Sequence, residues 1–153
     1  MLKNHIDIRL KYEKFVKNVC ATGIVYALES KTGIARSSST EYEDDEGNAI
    51  PLTCVWSQAA YARACATSGW EGYAVKEIPL NKFMENWCVG MHYDGVLTGV
   101  EFDSGMFGME TEPLELLADI ITELKATEKE VELENYEDLN ELEEIVNQFL
   151  DDM

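Results

Sequence analysis

Basic residues are scarce in this chain. Twelve Lys and Arg stand against 30 Asp and Glu, a formal net charge of −18. Such a surface repels phosphate backbones, so nucleic acid is excluded as an expected partner. Histidine is scarcer still, with only His5 and His92, too few to build a histidine-rich zinc site. No apolar run approaches the roughly 20 residues of a membrane helix. The opening segment, Met1 to Asp7, carries charge but lacks the apolar core of a signal peptide. The four cysteines, Cys20, Cys54, Cys65 and Cys88, are widely spaced and form no Cys-x-x-Cys. They read as reduced, buried small hydrophobes. These absences together lead to the expectation of a cytoplasmic protein that touches no membrane.

Catalytic and cofactor signatures are missing as well. Gly105-Met106-Phe107-Gly108 lacks the Gly-Lys-Ser/Thr end of a phosphate loop. There is no His-Glu-x-x-His and no Gly-x-Ser-x-Gly. Asp44-Asp45-Glu46-Gly47 fails as a calcium loop, because Tyr42 and Thr53 would fill its first and twelfth positions. No cofactor, no metal and no catalytic residue is therefore expected.

What is present suits a single folded domain. The chain has 153 residues, 46% of them hydrophobic, enough for one self-sufficient core. Charge is unevenly distributed. Residues 1–36 carry seven basic and three acidic side chains, net +4, whereas residues 126–153 set Lys129 against eleven acids, net −10. The expected division is an α+β domain over residues 1–125 and an acidic helical extension, 126–153, packed on it.

Periodicity supplies the elements. Ile8, Tyr12, Phe15, Val16 and Val19 fall on one face of a helix over about 5–21, closed by Gly23. Gly23 to Glu29 reads as a strand and Ile34 to Arg36 as a short return. Ser37 to Asn48 reads as a polar, acidic loop, and Ile50 to Trp56 as the next strand. Ser57 is the expected N-cap of a small-residue helix ending at Ser68-Gly69. Trp70 to Val75 reads as extended. Pro79 is expected in the first turn of a helix with Leu80, Phe83, Met84, Trp87 and Met91 inside. Val96 to Phe102 and Met106 to Glu110 read as a hairpin. Glu112-Pro113 opens a helix with the stripe Leu114, Leu117, Ile120, Ile121 and Leu124. Asn135 is the expected N-cap of the last helix, whose stripe is Leu139, Leu142, Ile145, Val146, Phe149 and Leu150.

Candidate binding residues concentrate in the middle of the chain. Trp56, Tyr61, Trp70, Tyr73 and Trp87 could line a groove for a peptide or ring ligand, or form the core between helices and sheet. Arg63 is a lone cation among them, suited either to an ion pair with Glu71 or Glu77 or to an anion site. Cys88 and His92 share a helical face at a four-residue step. They could form a nucleophile pair or two metal ligands, but lack a visible third group.

Several of these motifs occur together in a recognisable order. They are Phe15-Val16-Lys17 ahead of Gly23-Ile24-Val25-Tyr26, the run Trp56-Ser57 to Cys65-Ala66, and Trp70-Glu71-Gly72-Tyr73. Ile78-Pro79-Leu80 with Phe83 and Trp87, Asp94-Gly95-Val96-Leu97-Thr98-Gly99-Val100, and Gly108-Met109-Glu110 to Pro113 follow. In this set the chain resembles DUF2750, a family of small bacterial proteins of unknown function, over roughly residues 12–118. The resemblance implies a compact α+β domain and no particular activity. This chain departs from the family at Cys88 and Val89, where leucine and proline are usual, and in a longer acidic loop.

The expected fold is a single α+β domain with an antiparallel or mixed sheet of about five strands. The expected function is a non-enzymatic protein-binding module, one form of it an immunity-type or inhibitor protein for a basic partner. Two other readings stay open. One is a small-ligand binder or enzyme using Arg63, Cys88 or His92; the other is a homodimer formed through the C-terminal helix.

Overall fold

Helix α1 (Leu2–Thr22) places Tyr12, Phe15, Val16, Val19 and Cys20 on one face, and all five are buried. This computed structural model describes residues 2–67 and 69–152. Ser68, half of the expected stop of the second helix, lies outside the described residues, as does the side chain of His5. α1 ends where the Gly23 N–H donates to the Val19 carbonyl, with Gly23 at φ +76°, a conformation that favours glycine.

The fold is α+β, and the expected sheet of about five strands is divided into two. β1 (Ile24–Ser30) is the centre of an antiparallel sheet, flanked by β2 (Gly33–Ile34) and β5 (Ala74–Pro79). The second sheet contains β3 (Arg36–Glu43), β4 (Ala49–Val55), β6 (Leu97–Val100) and β7 (Met109–Thr111) in the order β3-β4-β6-β7. β4 and β6 run parallel, whereas the outer pairs are antiparallel. Tyr26 and Trp56 exchange backbone hydrogen bonds of 2.8 Å in both directions and stitch the two sheets together.

Several local expectations are corrected. Ser37 to Asn48 is not a loop but β3 and the tight turn into β4. β3 is an edge strand with most side chains in water, so it shows none of the alternation by which a half-buried strand is read. The turn is closed by Asp44, whose Oδ1 accepts from the N–H groups of Glu46 and Asn48 at 2.9 Å, an Asx-type turn. The strand expected over Val96 to Phe102 stops at Val100, because Glu101 adopts φ +55°. Asn135 does not cap the last helix. Asp138 does, its Oδ1 accepting from the Glu141 N–H at 3.0 Å.

Pro79 ends β5 and precedes a helix rather than lying in its first turn. That helix runs through α3 (Leu80–Lys82), a π-helical turn (Phe83–Cys88) and α4 (Val89–Asp94). The wider turn rotates Glu85 inward, so Phe83, Met84, Glu85 and Cys88 are all buried, a denser inner face than a 3.6-residue period provides. Glu85 accepts from the N–H groups of Glu134 and Asn135 at 2.9 and 2.7 Å. A buried carboxylate thereby holds the segment that leads from α5 (Pro113–Ala126) to α6 (Leu139–Asp151).

The larger core joins α1, the π turn, α4, α5 and α6, with Leu142 and Val146 of α6 fully covered. The smaller core lies between the sheets and α2 (Ala59–Ala66) and contains Leu28, Leu52, Cys54, Trp56, Trp70 and Phe102. Each fully buried large side chain stabilises the fold by about 1.5–3 kcal/mol.

Glu85→Ala should strip two backbone N–H groups of their acceptor. We expect a loss of about 1–3 kcal/mol in chemical denaturation, with faster amide exchange over residues 133–138 than elsewhere. Unchanged exchange there would show that Glu85 does not hold the extension.

Candidate functional site

The carboxyl ends of the parallel strands β4 and β6 meet at a buried polar node. Glu101 follows β6, and its N–H donates to the Val55 carbonyl at 3.0 Å. Its side chain, only 6% exposed, accepts from the Ser57 N–H at 2.7 Å and from the Ser57 hydroxyl at 2.6 Å. The Trp56 indole N–H donates to the Phe102 carbonyl at 2.8 Å. Ser57 therefore does not serve α2 as its cap: Gln58 occupies the cap position without a side-chain bond, and the Ser57 hydroxyl is committed to Glu101. Asn18 of α1 reaches the same hydroxyl at 3.5 Å.

The loop after this node has a fixed shape. Glu101 and Met106 both hold positive φ, +55° and +63°, which costs a non-glycine residue of order 1–3 kcal/mol and collects at functional positions. Asp103 organises the loop, its Oδ1 accepting from the N–H groups of Gly105 and Phe107. A Cβ on Gly108 would lie 2.3 Å from the Phe102 ring and 2.6 Å from the Val100 carbonyl oxygen, so only glycine fits that close approach. The loop leaves Phe107 65% exposed.

A cleft of about 390 Å³ opens between α1, α2 and this loop, with Lys14, Asn18, Tyr61, Ala64, Glu101 and Phe102 in its wall. Lys11, also in the wall, is drawn toward Asp103 at 3.9 Å. Burial pushes the Glu101 carboxyl above its ordinary value of 4.5, and the two bonds from Ser57 and the charge of Lys11 oppose that shift without cancelling it.

The candidate aromatics separate into three places. Trp56 and Trp70 pack edge to face at 6.2 Å in the smaller core, with Tyr73 half-buried beside them. Trp87 packs half-buried against the larger core. Tyr61 alone of the set stands in the cleft wall, 48% exposed. Arg63 is exposed on α2, and among the described residues it makes no ion pair.

The Cys88–His92 pair gains a third group from an unexpected direction. His92 Nδ1 lies 3.1 Å from Glu112 Oε1, while the other oxygen of Glu112 accepts from the Leu114 N–H and caps α5. Cys88, however, is fully buried, and burial first, then the charge of Glu112, pushes its thiol up. A nucleophilic cysteine requires the opposite shift. Burial likewise pushes Cys20 and Cys54 up to about 12. Among the described residues, no group of three or more His, Cys, Asp or Glu is placed to hold a metal ion.

The family model described as "Protein of unknown function (DUF2750)" matches residues 12–120, well over half of the chain. The chain belongs to the DUF2750 family. No curated protein and no solved structure matched it. The match includes all of the cleft wall except Lys11 and ends inside α5, so α6 and the segment anchored by Glu85 lie beyond the part shared with DUF2750. No helix of the described residues is long and apolar enough to cross a membrane.

Glu101, Ser57, Asn18 and Lys14 were not among the sequence candidates. The available signal was a carboxylate between Val100 and Phe102, inside the apolar run that begins at Val96. Because the folded pKa of Glu101 is raised, protonation favours the folded state. Its contribution is fully present below the ordinary value of 4.5 and is lost as pH rises through the raised value. The stability of the native protein relative to Glu101→Gln should therefore fall as pH rises above the ordinary glutamate value. A flat difference in urea denaturation would contradict the burial-driven shift.

Proposed function

We infer that the chain is a non-enzymatic protein-binding module of the cytoplasm that meets a basic protein, as an immunity-type or inhibitor protein does. One observation carries this reading. Glu41, Glu43, Asp44, Asp45 and Glu46 are all exposed on the β3–β4 hairpin, and among the described residues none of them has an ion-pair partner. Asp44 is occupied with closing the turn, which leaves four carboxylates on a projecting edge to attract a cationic surface.

Two further facts support the reading. Cys20, Cys54, Cys65 and Cys88 are free thiols, as suits a reducing compartment. Their pKa values are pushed up rather than down, which favours binding over thiol chemistry. Long-range attraction would speed such an encounter and make it sensitive to salt.

The partner should be a basic protein captured from the source cells at about 50 mM salt and reduced at about 200 mM, as screening requires. Replacing Glu41, Glu43, Asp45 and Glu46 by Gln or Asn, with Asp44 kept, should lower the on-rate for that partner about tenfold at low salt. An unchanged on-rate would remove the hairpin from the account.

A further inference from the structure

We propose that the cleft beside Glu101 is a socket for one arginine or lysine side chain of a partner protein, whose charged head shares the Glu101 carboxylate with Ser57. The proposal rests on the basic-partner reading and names a second contact for it, separate from the acidic hairpin.

Hydrogen-bond capacity is the first argument. An ionised carboxylate offers about four lone-pair sites, and Ser57 fills two of them. A guanidinium or ammonium can fill the others. The second argument is desolvation. Glu101 is 6% exposed and forms no ion pair within 4.0 Å among the described residues, with Lys11 acting on it only from further away, so a cation arriving from outside supplies a close counter-charge. The surrounding wall suits the stem of such a side chain. Ala64, Phe102 and the ring of Tyr61 offer apolar contact for its methylenes, and Tyr61 can also receive a cation on its face.

Lysines in the same wall set the sign of the test. Lys11 is already drawn toward Asp103 and the Phe107 carbonyl. Lys14 is exposed and unpaired among the described residues, and it repels a cation as it nears the cleft. Removing that charge should strengthen a cationic occupant and weaken an anionic one, a distinction independent of the fate of Glu101.

The experiment is a titration of the 15N-labelled full chain with the capped tripeptide Gly-Arg-Gly, read by amide shifts. The capped peptides Gly-Lys-Gly, Gly-norleucine-Gly and Gly-Glu-Gly are the comparisons. Saturable shifts at Ser57, Tyr61 and Glu101 are expected with arginine and lysine but not with norleucine or glutamate. Glu101→Gln should weaken binding at least about tenfold, and Lys14→Glu should tighten it several-fold. Should Glu101→Gln lose its folded spectrum, Tyr61→Ala, at an exposed position, should weaken binding instead. Shifts confined to residues 41–46, equal binding of the glutamate peptide, or weaker binding by Lys14→Glu would overturn the socket. None of these results would remove the hairpin from the account, since its failure is read separately in the on-rate of the captured partner.

Discussion

The structure depends on how two chain segments leave the parallel pair β4 and β6. Parallel strands end with groups that no ladder satisfies, and here those ends are joined to each other. The Trp56 indole N–H takes the Phe102 carbonyl, and Glu101 takes both the N–H and the hydroxyl of Ser57. The same residue, Trp56, exchanges backbone bonds with Tyr26 and links the second sheet to the first. A buried carboxylate is costly unless it is hydrogen-bonded, so Glu101 and Ser57 fix each other's position. The strained loop, the start of α2 and the cleft between them follow from that fix.

Most of the charge is arranged around this framework and little within it. The carboxylates that are buried each hold backbone in place: Glu85 holds residues 134 and 135, and Glu101 holds residue 57. Glu112 holds the first turn of α5, and the half-buried Glu110 binds Ser39 and Thr40 of β3. The remaining acids are spread over the surface, most densely on the β3–β4 hairpin and on residues 128–138 between α5 and α6. An acidic composition thus has two separate consequences, structural bonds inside and a long-range field outside. The second steers association from a distance, while Glu101 alone of the buried acids also lines the cleft.

Helices were legible in the sequence because their apolar stripes are long and periodic. The inner residues of α1 and α5 fall where the spacing of Tyr12 to Val19 and of Leu114 to Leu124 places them. β3 was not legible, because an edge strand with wet faces carries no alternation. The π turn was not, because its extra inward residue, Glu85, is polar and is explained only by amides some fifty positions away. Glu101 was hidden for a related reason. In a regular strand it would lie on the face opposite Val100 and Phe102, and only the left-handed turn at that residue brings it to Ser57. The aromatic residues named from sequence are mostly core, since their size suits burial as well as it suits binding.

A double-mutant cycle on Ser57→Ala and Glu101→Gln, read by urea denaturation at pH 7, tests the central claim most directly. If the node holds the two strand ends together, the coupling energy should be about 1.5–3 kcal/mol, the range for a hydrogen bond to a charged group. A coupling near zero would mean that the two residues stabilise the fold independently, and that the cleft is positioned by something else.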